Sequence, residues 1–185
     1  LRKYITKKYL NKIGACGEAI DKFEEQYGNK KIDKIEILNE LIKKDKLDWA
    51  NWLIVEIMER WQCLKYAIYA AKQVIGIYEK KYPEDKRPRK AIQAAQKVLK
   101  QNTKKNKIVA VYAAYAASDA ADAVYTTSDA YAAAAAAAYA AAYAAAYAAD
   151  AAAYAAAYAA DAADDAGEKI RIRILKYGIK LLREG

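Results

Sequence analysis

The chain has 185 residues and no histidine. The missing imidazoles exclude Ser-His-Asp and Cys-His nucleophile pairs, imidazole general bases and His-containing zinc sites. The net charge of +9 is unevenly spread: residues 110–166 are about three-fifths alanine and hold seven aspartates with no Lys or Arg, so the remainder carries +16.

Two cysteines, Cys16 and Cys63, cannot close a four-thiolate metal site, and the expectation is two buried thiols in a reducing cytoplasm. No metal and no cofactor is expected. Lysines are scattered over almost every segment rather than gathered on one face, and their strongest counter-charge is the chain's own acidic tract, so sequence-specific nucleic-acid binding is not expected.

In chain order, an amphipathic helix over 15–26 would bring Cys16, Ala19, Ile20 and Phe23 to one side, with Gly28-Asn29 stopping it. Ile32, Ile35, Leu38, Leu41 and Ile42 make a second apolar stripe. Asp48 is the expected N-cap of a third helix, on which Trp49, Leu53, Ile57, Trp61, Leu64 and Ile68 form one ridge with Trp52 beside it. Core packing is the default for such a ridge, and ligand stacking is the alternative for Trp52.

The only prolines, Pro83 and Pro88, lie five residues apart. Pro83 ends the preceding helix, Asp85 can cap the next, and Pro88 is tolerated only in a first turn, where no amide donor is needed. Arg87 and Arg89 thereby fall at a helix N-terminus, already positive from the helix dipole, and call for a carboxylate or phosphate partner. The plainer reading is an ion pair to the acidic tract; the sharper one is a ligand contact.

In the Ala/Tyr tract, Thr126-Thr127-Ser128-Asp129 separates helices expected over 107–125 and 129–165. Tyr143-Tyr147-Asp150 is followed eleven residues later by Tyr154-Tyr158-Asp161. Eleven residues make three turns at about 3.67 residues per turn, so these positions run almost straight along one face, with Tyr139 extending it. Tyr112, Tyr115, Asp119 and Asp122 repeat the pattern more briefly. Alanine buries little area, so the tyrosines are expected to supply most of the burial and the basic segments the donors for their oxygens.

A continuous 129–165 helix would be about 55 Å long, against a radius of gyration of about 16 Å for a compact chain of this size. It must break, most plausibly near Asp150, or be covered by a second copy; a homodimer is the expectation. Asp150 and Asp161 would sit inside any proposed membrane span, which argues against one. Residues 170–174 alternate like a strand but have no evident pairing partner, so they read as a final helix with Ile172, Leu175, Ile179 and Leu182 inward.

Gly14-Ala15-Cys16 with Phe23, Asp48-Trp49 with Trp52-Leu53, Tyr82-Pro83-Glu84-Asp85-Lys86-Arg87-Pro88-Arg89-Lys90-Ala91-Ile92 and the Ala-rich tail together resemble one family. It is the alanine-rich group of predicted immunity proteins from bacterial polymorphic toxin systems, immunity protein five-like, with phage-encoded relatives. The resemblance spans nearly the whole chain and implies an all-helical, non-catalytic binding protein.

The expected fold is a single all-α domain: a basic helical module over 1–106, an acidic Ala/Tyr helical hairpin over 107–166 and a closing helix over 167–185. Two functions fit it. One is an immunity-type inhibitor that neutralises a protein toxin. The other is a phage-encoded sponge that captures a small anionic nucleotide-type signal in a Tyr/Arg-lined pocket. Contacts are expected from Arg87, Arg89, Trp52, Tyr112, Tyr139, Tyr143 and Tyr147, because guanidiniums fork phosphates and aromatic rings stack on bases. No catalytic residue is expected, since neighbouring carboxylates such as Asp164 and Asp165 point about 100° apart on a helix.

Overall fold

A computed structural model describes residues 3–123, 128–146, 149–162 and 167–184. Ten helices stand among them: α1 (Lys7–Lys12), α2 (Gly17–Tyr27), α3 (Lys34–Lys43), α4 (Leu47–Ile57), α5 (Arg60–Lys81), α6 (Arg87–Lys100), α7 (Lys104–Asp122), α8 (Ser128–Ala146), α9 (Ala149–Asp161) and α10 (Gly167–Glu184). The fold is all-α. A two-residue antiparallel ladder joins β1 (Tyr4–Ile5) to β2 (Ile32–Asp33), so Ile32 leaves the expected helical stripe and pairs with Ile5.

Helix starts follow local capping chemistry. Thr6, Asp33 and Thr103 accept backbone amides at the first turns of α1, α3 and α7. Asp48 does not cap α4. That helix begins at Leu47, which puts Asp48 inside its first turn, where it pairs with Arg171 instead (2.7 Å).

The single Trp ridge is likewise divided. Its apolar spacing continues past Ile57, but Glu59 and Gln62 form a reciprocal capping box that starts α5. Trp61 consequently turns outward, 36% exposed. Gln62 is fully buried; its Nε2 donates to the Leu181 carbonyl (2.6 Å), tying α5 to α10.

The Ala/Tyr tract packs differently from expectation. Helix α8 is central, in contact with α5, α6, α7 and α9. Ala132 to Ala138 are all buried, as an apolar-all-round helix requires. Alanine faces, with Tyr143 the one buried tyrosine among the described residues of the tract, therefore meet the basic helices, because the small side chain lets helix axes approach closely.

The 129–165 helix does not run through: α8 ends at Ala146, and α9 starts at Ala149 and packs back along α8. This removes the length argument for a second copy. Of the eleven-residue repeat, Tyr143 lies on α8, whereas Asp150, Tyr154, Tyr158 and Asp161 lie on α9. Tyr139 of α8 stacks on Tyr158 of α9 (5.3 Å between centroids, 11° between planes) and tilts against Tyr154 (5.2 Å), while Tyr131 meets Tyr158 edge-on (6.1 Å). Tyr131 and Tyr139 of α8 with Tyr154 and Tyr158 of α9 thus form the seam between the two helices. Tyr147, Thr126, Thr127, Asp164 and Asp165 lie outside the described residues, as does the side chain of Asp150.

Among the described residues, Lys81–Asp129 (2.7 Å) and Arg171–Asp161 (3.7 Å) join the tract to the basic segments. The closing helix is observed as α10, with Leu175, Ile179 and Leu182 buried and Ile172 half-buried. Gly178 lets it approach α4 and α5: a Cβ there would lie 2.5 Å from Ile54 Cδ1 and 2.8 Å from Tyr66 Cε2.

Candidate functional site

Helices α2, α3 and α4 enclose an apolar cleft of about 370 Å³, within the range of ordinary ligand or side-chain pockets. Gly14 and Gly28 bracket α2 with positive φ (77° and 58°), a conformation that a side chain would strain. They let α2 leave and rejoin the body with one face over the cleft. Its walls include Ala19, Phe23 and Tyr27 from α2, Ile37 and Leu41 from α3, and Trp49, Trp52 and Leu53 from α4. Trp49 and Trp52 are half-buried.

A polar clasp closes one end. The Tyr27 hydroxyl donates to Glu40 Oε2, Gln26 Nε2 donates to Glu40 Oε1 (2.5 Å), and Lys44 reaches both Gln26 Oε1 (2.7 Å) and Glu40 (3.1 Å). Burial first, and then the bond to Glu40, raises the Tyr27 pKa well above the usual phenol range. The same phenol bond, followed by those of Gln26 and Lys44, lowers Glu40. Both directions keep the pair as phenol and carboxylate, so the clasp persists at neutral pH. Lys22, Lys44 and Lys46 also line the cleft: Lys22 pairs with Glu25 (3.2 Å), Lys44 with Glu40, and Lys46 lies over the Trp49 ring (5.2 Å).

The residues named from the sequence do not converge. Arg87 forks Asp85 through Nε (3.0 Å) and Nη2 (2.6 Å), and Asp85 also accepts the Arg87 amide (2.9 Å) and the Tyr78 hydroxyl (2.7 Å). Arg89 is held bidentately by Glu79 of α5, its Nε 2.5 Å from Oε1. The ion pairs expected with the acidic tract are thus made locally, because Asp85 is two residues from Arg87 and needs no long-range approach. The Arg87 bond holds the Asp85 carboxyl far below its usual range, and Arg89 lowers Glu79. Burial, then the Asp85 bond, pushes Tyr78 up to about 12.

Elsewhere, Tyr139 is stacked in the α8–α9 seam, and Tyr143 is buried with its hydroxyl donating to the Arg60 carbonyl (3.2 Å). Tyr112 stands on the outer face of α7, 70% exposed. Of the six that the structure describes, only Trp52 lines the cleft; Tyr147 lies outside the described residues. Sequence reasoning missed Tyr27, Glu40, Leu41, Lys44 and Trp49 as cleft residues. The usable signal was the three-residue spacing of Trp49 and Trp52 on one face, beside two glycine-bounded turns.

Among the described residues there is no cluster of His, Cys, Asp or Glu able to hold a metal ion, and no helix long and apolar enough to cross a membrane. The molecule is thus an all-helical scaffold with an aromatic cleft at one end. The chain belongs to the family described as Imm-5 like putative immunity protein, whose model matches residues 53–177. No curated protein and no solved structure matches it. The cleft is built almost wholly by residues ahead of the matched segment, with Leu53 at the boundary.

Proposed function

We propose that the protein is an immunity-type inhibitor that binds a protein toxin in the cytoplasm and holds it inactive without catalysis. The family membership over residues 53–177 is the observation that carries this reading. The cleft is the docking point: an apolar or aromatic side chain of the toxin enters between Trp49, Trp52 and Phe23, and an acidic neighbour meets Lys46. Tryptophan-lined pockets of this kind concentrate binding energy in protein interfaces, and the net charge of +9 speeds encounter with an acidic partner. Cys63 is buried as expected but Cys16 is exposed, and two free thiols suit a reducing compartment.

Capture of a nucleotide-type signal has less support. Arg87 and Arg89 are already forked by carboxylates, away from the cleft. Differential scanning fluorimetry against cyclic and linear nucleotides is expected to give no rise in melting temperature. A dose-dependent rise would favour the nucleotide instead.

The direct test of the toxin reading is affinity capture with wild type and with Ala19→Trp, which fills the cleft from its half-buried wall. A partner retained by wild type and lost by the variant, with the variant's melting temperature preserved, is the expected result. Equal retention by both would remove the cleft from the interface.

A further inference from the structure

Helix α7 carries a face that the fold leaves uncovered. Ala110, Ala117, Ala120 and Ala121 are buried toward the body, where α6 and α8 contact α7. The opposite side exposes Ile108 (46%), Val109 (45%), Val111 (36%), Tyr112 (70%) and Tyr115 (67%). At 100° per residue, Lys105, Ile108, Tyr112, Tyr115 and Asp119 fall along one line, spaced three, four, three and four. This is the three- and four-residue spacing that a helix-pair seam uses.

The seam is self-complementary. Lys104 and Lys105 stand at its start and Asp119 and Asp122 at its end, and none of the four has an ion-pair partner among the described residues. Reversing the helix about Tyr112 carries Lys105 onto Asp119 and Val109 onto Tyr115, and leaves Tyr112 on itself. We infer that two copies pair antiparallel through the α7 faces, with a two-fold axis at Tyr112 and Lys104/Lys105 of each copy against Asp119/Asp122 of the other. A two-fold interface needs one patch that complements itself, and this one does so in both charge and apolar content. Parallel pairing would set lysines on lysines and aspartates on aspartates. The cleft lies on other helices, so pairing and toxin capture stand or fall separately.

Charge exchange tests the pairing. Sedimentation of wild type at about 100 μM, where a pair with a Kd of about 1 μM is almost fully associated, should give a dimer. Lys104→Glu with Lys105→Glu should weaken it about tenfold or more, and Asp119→Lys with Asp122→Lys should do the same. Mixing those two weakened variants should yield a heterodimer tighter than either homodimer, and all four changes in one chain should restore the homodimer. Tyr112→Cys in a Cys16→Ser background should crosslink to itself with a short bis-maleimide. A monomeric wild type, a dimer indifferent to either double substitution, or a mixture that associates no more tightly than its separate variants would each overturn the inference.

Discussion

Gly178→Ala sets helix propensity against packing, and the two effects have opposite signs. Alanine in a helix interior is favoured over glycine by about 1 kcal/mol. The added Cβ would lie 2.5 Å from Ile54 Cδ1 and 2.8 and 3.0 Å from two ring carbons of Tyr66. Neither neighbour can withdraw easily: both are fully buried, and the Tyr66 hydroxyl is anchored by donating to Asn51 (2.9 Å). Overpacking costs about 1–3 kcal/mol, and two immobile neighbours place this site near the upper end. The net loss is then about 2 kcal/mol. For a chain of this size that lowers the melting temperature by about 4–8 °C. Thermal denaturation followed by circular dichroism at 222 nm measures it. An unchanged or raised midpoint would mean that α10 does not sit this close to α4 and α5, and the reasoning would fail.

Other substitutions probe separate parts of the fold. Gln62→Leu leaves the Glu59 amide and the Leu181 carbonyl without their buried amide partner; urea unfolding should register a loss of about 1–3 kcal/mol. Tyr139→Ala removes a ring stacked between Tyr154 and Tyr158 and should cost about 2 kcal/mol, whereas Tyr112→Ala at an exposed site should stay within about 0.5 kcal/mol when the chain is monomeric. Because folding depresses the Asp85 carboxyl through Arg87, its stabilising contribution is complete above the unfolded value of about 4 and declines as pH falls toward the folded value. Asp85→Asn should therefore flatten the acid side of the stability–pH curve relative to wild type; parallel curves would count against the pairing.

The all-helical architecture was legible because capping residues and three- and four-residue apolar spacings agree along most of the chain. Pro83 and Gly28 ended helices where their backbone chemistry requires. The break before α5 was hidden, since the apolar ridge runs past it in register and only Glu59 with Gln62 marks it. Neither residue 147 nor residue 148, between α8 and α9, is a glycine or a proline, so a repeat that reads as one straight stripe is divided unannounced, with Tyr143 on one helix and Tyr154 and Tyr158 on the next. Periodicity identifies the face of a helix but not what covers it. That is why Tyr139 and Tyr112, similar in sequence context, end in a stacked seam and on an open surface. The cleft depends on α2 standing off α3 and α4, a tertiary outcome that the aromatic positions alone do not specify. Arg87 was legible as needing an acid, and the nearest one in sequence supplied it.

Toxin neutralisation is tested most directly by growth. The protein captured by wild type from its source strain would be expressed alone, with wild type, and with Ala19→Trp. Arrest when it is alone, rescue by wild type and failure of rescue by the folded variant are the results expected. A captured protein that leaves growth unaffected, or equal rescue by the cleft-filled variant, would contradict the account.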